Sequence, residues 1–220
     1  MEQQNKLKES TIRFFHDLFD LMVVNWLWIL CCIPVVTIGP ATCGLYAVTL
    51  KLARQEPVNP LRDFFAGFKS NFKSGLLLEL CAAVLLIAAA GDIWLMLRLS
   101  GWMQGVYVAV AVMVSAIFLT VLGYAFPLPA MFENPLKMHL ANAFKLAVAF
   151  PVQSVAIWLI LLLPVIAALT LAPVVLQTIG FLYLVMGFSG PAYGVSRILR
   201  NVFDRVNGVS KTDTPPTTET

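Results

Sequence analysis

The chain has 220 residues, of which 59% are hydrophobic and 12% charged, with a mean hydropathy of +0.82 and a formal net charge of +3. A soluble domain averages about 25% charged residues, so this supply cannot clothe a water-facing surface, and an ordinary soluble fold is excluded. The small net charge does not point to a nucleic-acid partner; its distribution along the chain is more informative.

Residues 1–10 are polar, and residues 11–20 (TIRFFHDLFD) predict a short amphipathic helix. Ile12, Phe15, Leu18 and Phe19 share one side and Arg13, Asp17 and Asp20 the other, a pattern suited to the membrane interface or to the beginning of a span. Residues 21–38 form the first apolar segment, and Gly39-Pro40 is expected to break it. The segment 41–53 is apolar but short. Residues 75–97, 105–126, 146–170 and 173–192 have the length of spans, since a helix needs roughly 20 apolar residues to cross a core about 30 Å thick. The tail 207–220 is Thr/Pro-rich and expected to be disordered. The first apolar block lacks a signal-peptide cleavage pattern and runs on into more apolar sequence. The expected fold is therefore an all-α bundle of five to six membrane segments arranged as hairpins, with surface helices near 11–20, 60–73 and 135–145.

Basic residues set the orientation. If 41–53 crosses, fourteen of the fifteen Lys and Arg fall on one side and only Arg98 on the other; if it does not, five spans divide them eleven to four. The positive-inside rule favours six segments with both termini in the cytoplasm. The difficulty is that thirteen helical residues reach only about 20 Å.

Asn59-Pro60-Leu61-Arg62 is echoed by Asn134-Pro135-Leu136-Lys137, each a helix-start signal, and each is followed by Phe-Lys (Phe68-Lys69, Phe144-Lys145) and an apolar hairpin. Read as a duplication, this predicts two hairpins in the same orientation, each preceded by a surface helix. In the first surface helix Leu61, Phe64, Phe65, Phe68 and Phe72 form an aromatic stripe flanked by Lys69 and Lys73; in the second, Lys137 and Lys145 are the basic positions. These residues are candidate contacts with a lipid surface or a partner.

Polar residues inside spans are costly and hence candidate sites. Asn25, Glu79 and Asp92 are the main ones, with Gln153 and Gln177 in the last two segments. Glu79 is expected to meet Lys73 or Lys145 at the inner interface, and Asp92 to pair with Arg98 across the outer turn or to sit at the water interface. Trp94, Trp102 and Tyr107 suit an interfacial aromatic belt, and Trp158 suits packing. Cys31, Cys32, Cys43 and Cys81 show no ligand spacing and are expected as buried apolar residues. Gly187-Phe188-Ser189-Gly190 matches the GxSG of rhomboid-type proteases, but the only histidines, His16 and His139, lie in juxtamembrane segments. The small residues there, and Gly190-xxx-Gly194, are better read as permitting close helix contact. With no phosphate-binding loop and no HExxH, the sequence predicts no enzyme, cofactor or metal.

DLMVVNWLWILCCIPVVTIGPATCGLYAVTLKLAR (20–54) and DFFAGFKSNFKSG (63–75) resemble the YesL family of bacterial membrane proteins. The resemblance is strong to about residue 75 and weaker beyond. It implies a role near carbohydrate uptake, because genes of that family commonly lie beside those for oligosaccharide ABC importers and sugar-sensing two-component systems. It brings no catalytic residue. The resemblance and the residues together support three expectations: an accessory subunit touching an importer's permease, a small autonomous transporter or channel (alone or as a homo-oligomer) using Glu79 and Asp92, or a membrane partner of a sugar sensor.

Overall fold

The computed structural model describes residues 2–98, 100–132, 134–170, 180, 181 and 183–206. The tail 207–220, Gln177 and the start of the segment 173–192 lie outside them. Every regular element among the described residues is helical. By length and composition Lys8–Cys31, Val35–Ala53, Phe72–Met96 and Trp102–Met131 can each cross a membrane, and the pair Leu136–Ala149 and Pro151–Leu162, bent by 104°, adds a fifth if it is one broken span.

Helix α1 runs unbroken over Glu2–Cys31, so the separate surface helix expected at 11–20 is its middle third. Nothing in 2–31 breaks a helix; the first proline is Pro34. The first break therefore falls at 32–37, which contains a short 3-10 turn at Val35–Thr37, and not at Gly39-Pro40. Those two residues lie in the first turn of α2 (Ile38–Ala53), where a missing proline N–H costs nothing.

α3 (Pro60–Ser70) opens as expected: Asn59 Oδ1 accepts from Arg62 N at 3.1 Å. It ends at Asn71, and α4 (Phe72–Met96) starts at once. α5 (Trp102–Ala125) returns alongside α4, and the single turn α6 (Pro127–Met131) leads to α7 (Leu136–Ala149). α7 starts without a side-chain cap, so the capping chemistry of the sequence echo is realised only in its first copy. The break between surface helix and span, expected near 145, falls at Phe150, because Pro151 restricts the residue before it. α8 (Pro151–Thr170) then runs along α5, with Tyr124 bonded to Ser154 and Trp158 Nε1 donating to Thr120 Oγ1 at 2.8 Å. Residues 183–186 are helical, the chain turns at Gly187-Phe188, and α9 spans Ser189–Val206. Apart from its first residues, α9 is absent from the sequence expectations, although Ala192, Val195, Leu199, Val202 and Phe203, all buried, are spaced as one helix face.

α2 is the centre of the fold. It touches α1, α3, α4, α6 and α9, and twelve of its sixteen residues are buried. Two glycine pairs let its neighbours approach. Gly44 and Gly67 face each other between α2 and α3; a Cβ on Gly67 would lie 2.5 Å from Ala47 Cβ. Gly39 and Gly75 do the same between α2 and α4; a Cβ on Gly75 would lie 2.7 Å from Pro40 N. α9 closes the far side, with Thr49 Oγ1 2.9 Å from Ser196 Oγ and Arg200 donating to Ala53 O at 2.9 Å. That arginine satisfies a carbonyl left over at the end of α2.

Overpacking at a close crossing costs about 1–3 kcal/mol. Gly75→Ala is expected to lower unfolding stability in detergent by that amount, read by tryptophan fluorescence. Gly91→Ala in the same helix, where an added Cβ meets nothing within 4 Å, should leave stability equal or higher.

Candidate functional site

The candidate contact residues on α3 divide between two faces. Phe64 is not a surface residue: it is 0% exposed and packs on Gly44, where only a missing side chain leaves room for the ring. Phe68 is half-buried and stacks on Phe64. Leu61, Arg62, Phe65 and Lys69 point outward and, with Ala66, line a shallow groove of about 390 Å3. Phe72 and Lys73, at the start of α4, are exposed beyond it, as are Lys137 and Lys145 on α7. The aromatic stripe is thus one wedge into the core and one outward apolar edge with cations beside it.

On the other flank of α3 lies a polar cleft of about 700 Å3 between α2, α3, α6 and α7, lined among others by Lys51, Asp63, Asn71, Ser74, Asn134 and His139. Sequence reasoning assigned none of these six to a site. Lys51 Nζ donates to Asp63 Oδ1 at 2.9 Å, and Asn59 N donates to Oδ2 at 3.0 Å. Burial alone would raise the Asp63 carboxyl; these hydrogen bonds and the charges of Lys51 and Arg62 outweigh it and hold the group below its ordinary range. His139 is 1% exposed, and its Nδ1 has no hydrogen-bond partner among the described residues. Burial pulls its imidazole below the ordinary range, opposed in part by a hydrogen bond with the Asn134 backbone. The cleft therefore offers donors and acceptors around an internally neutralised ion pair, with a neutral imidazole at its wall.

Asn25, Glu79 and Asp92 are each held by a structural partner, and the ion pairs expected for the two acids are replaced. Glu79 meets neither Lys73 nor Lys145: its Oε2 accepts from Gly39 N at 2.9 Å. A carboxylate there complements the first turn of α2 and the positive end of its dipole. Asp92 accepts from Tyr107 OH at 2.6 Å, while Arg98 lies over the Trp94 ring at 5.1 Å. Stacking lets the guanidinium share the interfacial belt with Trp94 and Trp102, both exposed.

Asn25 is fully buried and joins two helix ends. Its Nδ2 donates to Tyr183 O at 3.2 Å and Leu184 O at 3.0 Å; its Oδ1 accepts from Phe188 N at 3.0 Å and Ser189 N at 3.1 Å. The Gly-Phe-Ser-Gly motif is therefore a helix break stitched by a carboxamide. A Cβ added at Gly190 would meet nothing within 4 Å among the described residues, which corrects the expectation of a small-residue contact there, while one added at Gly194 would lie 3.4 Å from Ile160. Gly187 is needed because a Cβ would collide with the preceding turn at Tyr183. All four cysteines are free, with Cys43 buried and the others half-buried.

The fold and these sites define a multi-pass, all-α membrane protein with a charged helical face at one end of its spans. Residues 21–93, a stretch that holds the α2 crossings and Glu79, match the family described as "Protein of unknown function, DUF624". No curated protein and no solved structure matches the chain.

Replacing Asn25 with Ala leaves buried N–H and C=O groups unpaired, at about 1–3 kcal/mol each. Asn25→Ala is expected to unfold in detergent at least about 2 kcal/mol more easily, and to expose the 187–189 break to limited proteolysis.

His139 supplies a pH prediction. Its folded-state pKa lies below the ordinary 6.5, so the contribution of the neutral ring is complete above about 6.5 and is lost as pH falls toward the folded value. Thermal stability in detergent should fall between pH 7.5 and 5.5, and His139→Gln should flatten that dependence.

Proposed function

We propose that this protein is a non-catalytic membrane adaptor that docks through the outer face of α3 onto a partner in the same membrane. The observation that carries the reading is the division of α3. One face, Phe64 and Gly67, is committed to the core, while Leu61, Phe65 and Lys69 remain outward around a groove. An apolar edge rimmed by cations suits contact with a partner helix, where buried aromatic anchors supply most of the affinity. Fourteen of fifteen basic residues on one side support a position for this face and both termini on the cytoplasmic side of a bacterial plasma membrane.

The resemblance of 20–54 and 63–75 to the YesL family, joined by the match of 21–93 to DUF624, supports carbohydrate uptake as the setting. The partner is then a permease subunit of an oligosaccharide ABC importer. Glu79 caps a helix and Asp92 holds a tyrosine, so each acid already has a structural task, which favours docking over an autonomous transport route.

Purification of the tagged protein from its native host in mild detergent should recover importer permease subunits in stoichiometric amounts. The double variant Phe65→Ala, Lys69→Glu should cut that recovery about tenfold or more, equivalent to about 1.4 kcal/mol, with unfolding stability unchanged. Recovery of the chain alone, or as a homo-oligomer, overturns the reading.

A further inference from the structure

We infer that residues 21–53 do not cross the bilayer twice: the last third of α1 and α2 form a re-entrant hairpin whose tip, residues 32–37, rests in the same leaflet from which α4 enters. Depth along α4 is the first constraint. The N-terminal end of α2 is fixed to α4 at Gly75, where the two backbones touch, and at Glu79, which caps Gly39 N. At 1.5 Å per residue these points lie about 5 and 10 Å along α4 from its start at Phe72, against a hydrocarbon core of about 30 Å. The other end of α2 is tied to α3 by Lys51–Asp63 and to α9 by Arg200 on Ala53 O. α3 carries Arg62, Asp63 and Lys69, charges that hold it out of hydrocarbon. A helix with one end among these charges and the other no deeper than Glu79 enters about a third of the core; a crossing would need its two ends on opposite faces.

Burial points the same way. The apolar window containing α2 is 61% buried inside the protein, against 6% for α4 and 0% for the window of α5. A helix apolar on all sides is covered by protein or by lipid; α2 is covered by protein, α4 and α5 by lipid.

The tip has the chemistry of an interfacial anchor. Ile33, Val35 and Val36 are 74%, 71% and 62% exposed, while the polar groups of the turn are bonded inward. Thr37 Oγ1 binds Cys31 O and Pro34 O, Cys32 N donates to Trp28 O, and Trp28 Nε1 donates to Thr42 Oγ1 across the hairpin. Apolar side chains out, with the Thr37 hydroxyl and the Cys32 and Thr37 N–H groups bonded within the turn, suits the lipid boundary. Length alone would let Val35–Ala53 cross, so the attachments of its two ends decide its path. With the hairpin folded back, the fourteen-to-one division of basic residues stands without any crossing by 41–53.

The test uses full-length protein with the four native cysteines replaced by serine or alanine and single cysteines at Val35 or Gly101. Gly101 lies at the distal turn between α4 and α5. An impermeant maleimide is applied to right-side-out and inverted vesicles, and the doubly spin-labelled protein is measured by pulsed dipolar spectroscopy in nanodiscs. We expect Val35→Cys to react from the face opposite Gly101→Cys or from neither, with a label separation of at least about 25 Å, the rise of α4 from Glu79 to Met96. Reaction of Val35→Cys from the same face as Gly101→Cys, or a shorter separation, overturns the hairpin. Because the comparison is relative to Gly101, an error in the cytoplasmic assignment would show in that control alone and leave this test intact.

Discussion

Backbone groups in apolar surroundings must find partners within the protein, and here two side chains meet that demand at a helix break and at a helix start. Asn25 uses both ends of its carboxamide to join the carbonyls at 183–184 to the N–H groups at 188–189. Glu79 does the simpler task of capping α2 at Gly39. Without them the chain would have to continue as helix or leave donors and acceptors bare, each costing several kcal/mol in lipid. The turn at 187–188 aims α9 back across α2, and the cap at Gly39 seats α2 against α4. The central position of α2 rests on both.

This arrangement gives Asn25 and Glu79 a structural explanation. A carboxylate at a helix N-terminus and a carboxamide at a helix break are low-energy uses of groups that would otherwise be expensive to bury. The cleft beside α3 differs. His139 is enclosed, its Nδ1 without a partner among the described residues, and the Lys51–Asp63 pair, with side chains 40% and 15% exposed, contributes little to stability at that degree of exposure. Its value lies in position: it ties the end of α2 to the start of α3 and so orients the outward edge at Leu61, Phe65 and Lys69.

The two hairpins echoed in the sequence differ for a physical reason. In the first, α3 is clamped on α2 by facing glycines, Gly44 and Gly67. In the second, α7 packs on α5 and the chain bends by 104° into α8 at Phe150-Pro151. The same helix-start signal therefore precedes two different packings, because the residue downstream of it, glycine in one case and proline in the other, selects the neighbour.

Helical class, membrane character and the signal at Asn59-Pro60 were legible because they depend on local terms: hydropathy, segment length, capping chemistry and proline geometry. Two errors were also local, the break placed at Gly39-Pro40 and the missed face of α9, whose spacing was readable. The roles of Phe64 and Phe65 were not readable, since adjacent positions on an amphipathic stripe differ only in what stands opposite, and Gly44 is twenty residues away. Asn25 was recognisable as an anomaly, but its partners lie more than 150 positions along the chain. Hydropathy also could not say whether α2 faces lipid or protein, because transfer from water to either is favourable by the same mechanism. Composition and local pattern settle what each segment must avoid; only the packed arrangement settles what covers it, because burial is a property of neighbours.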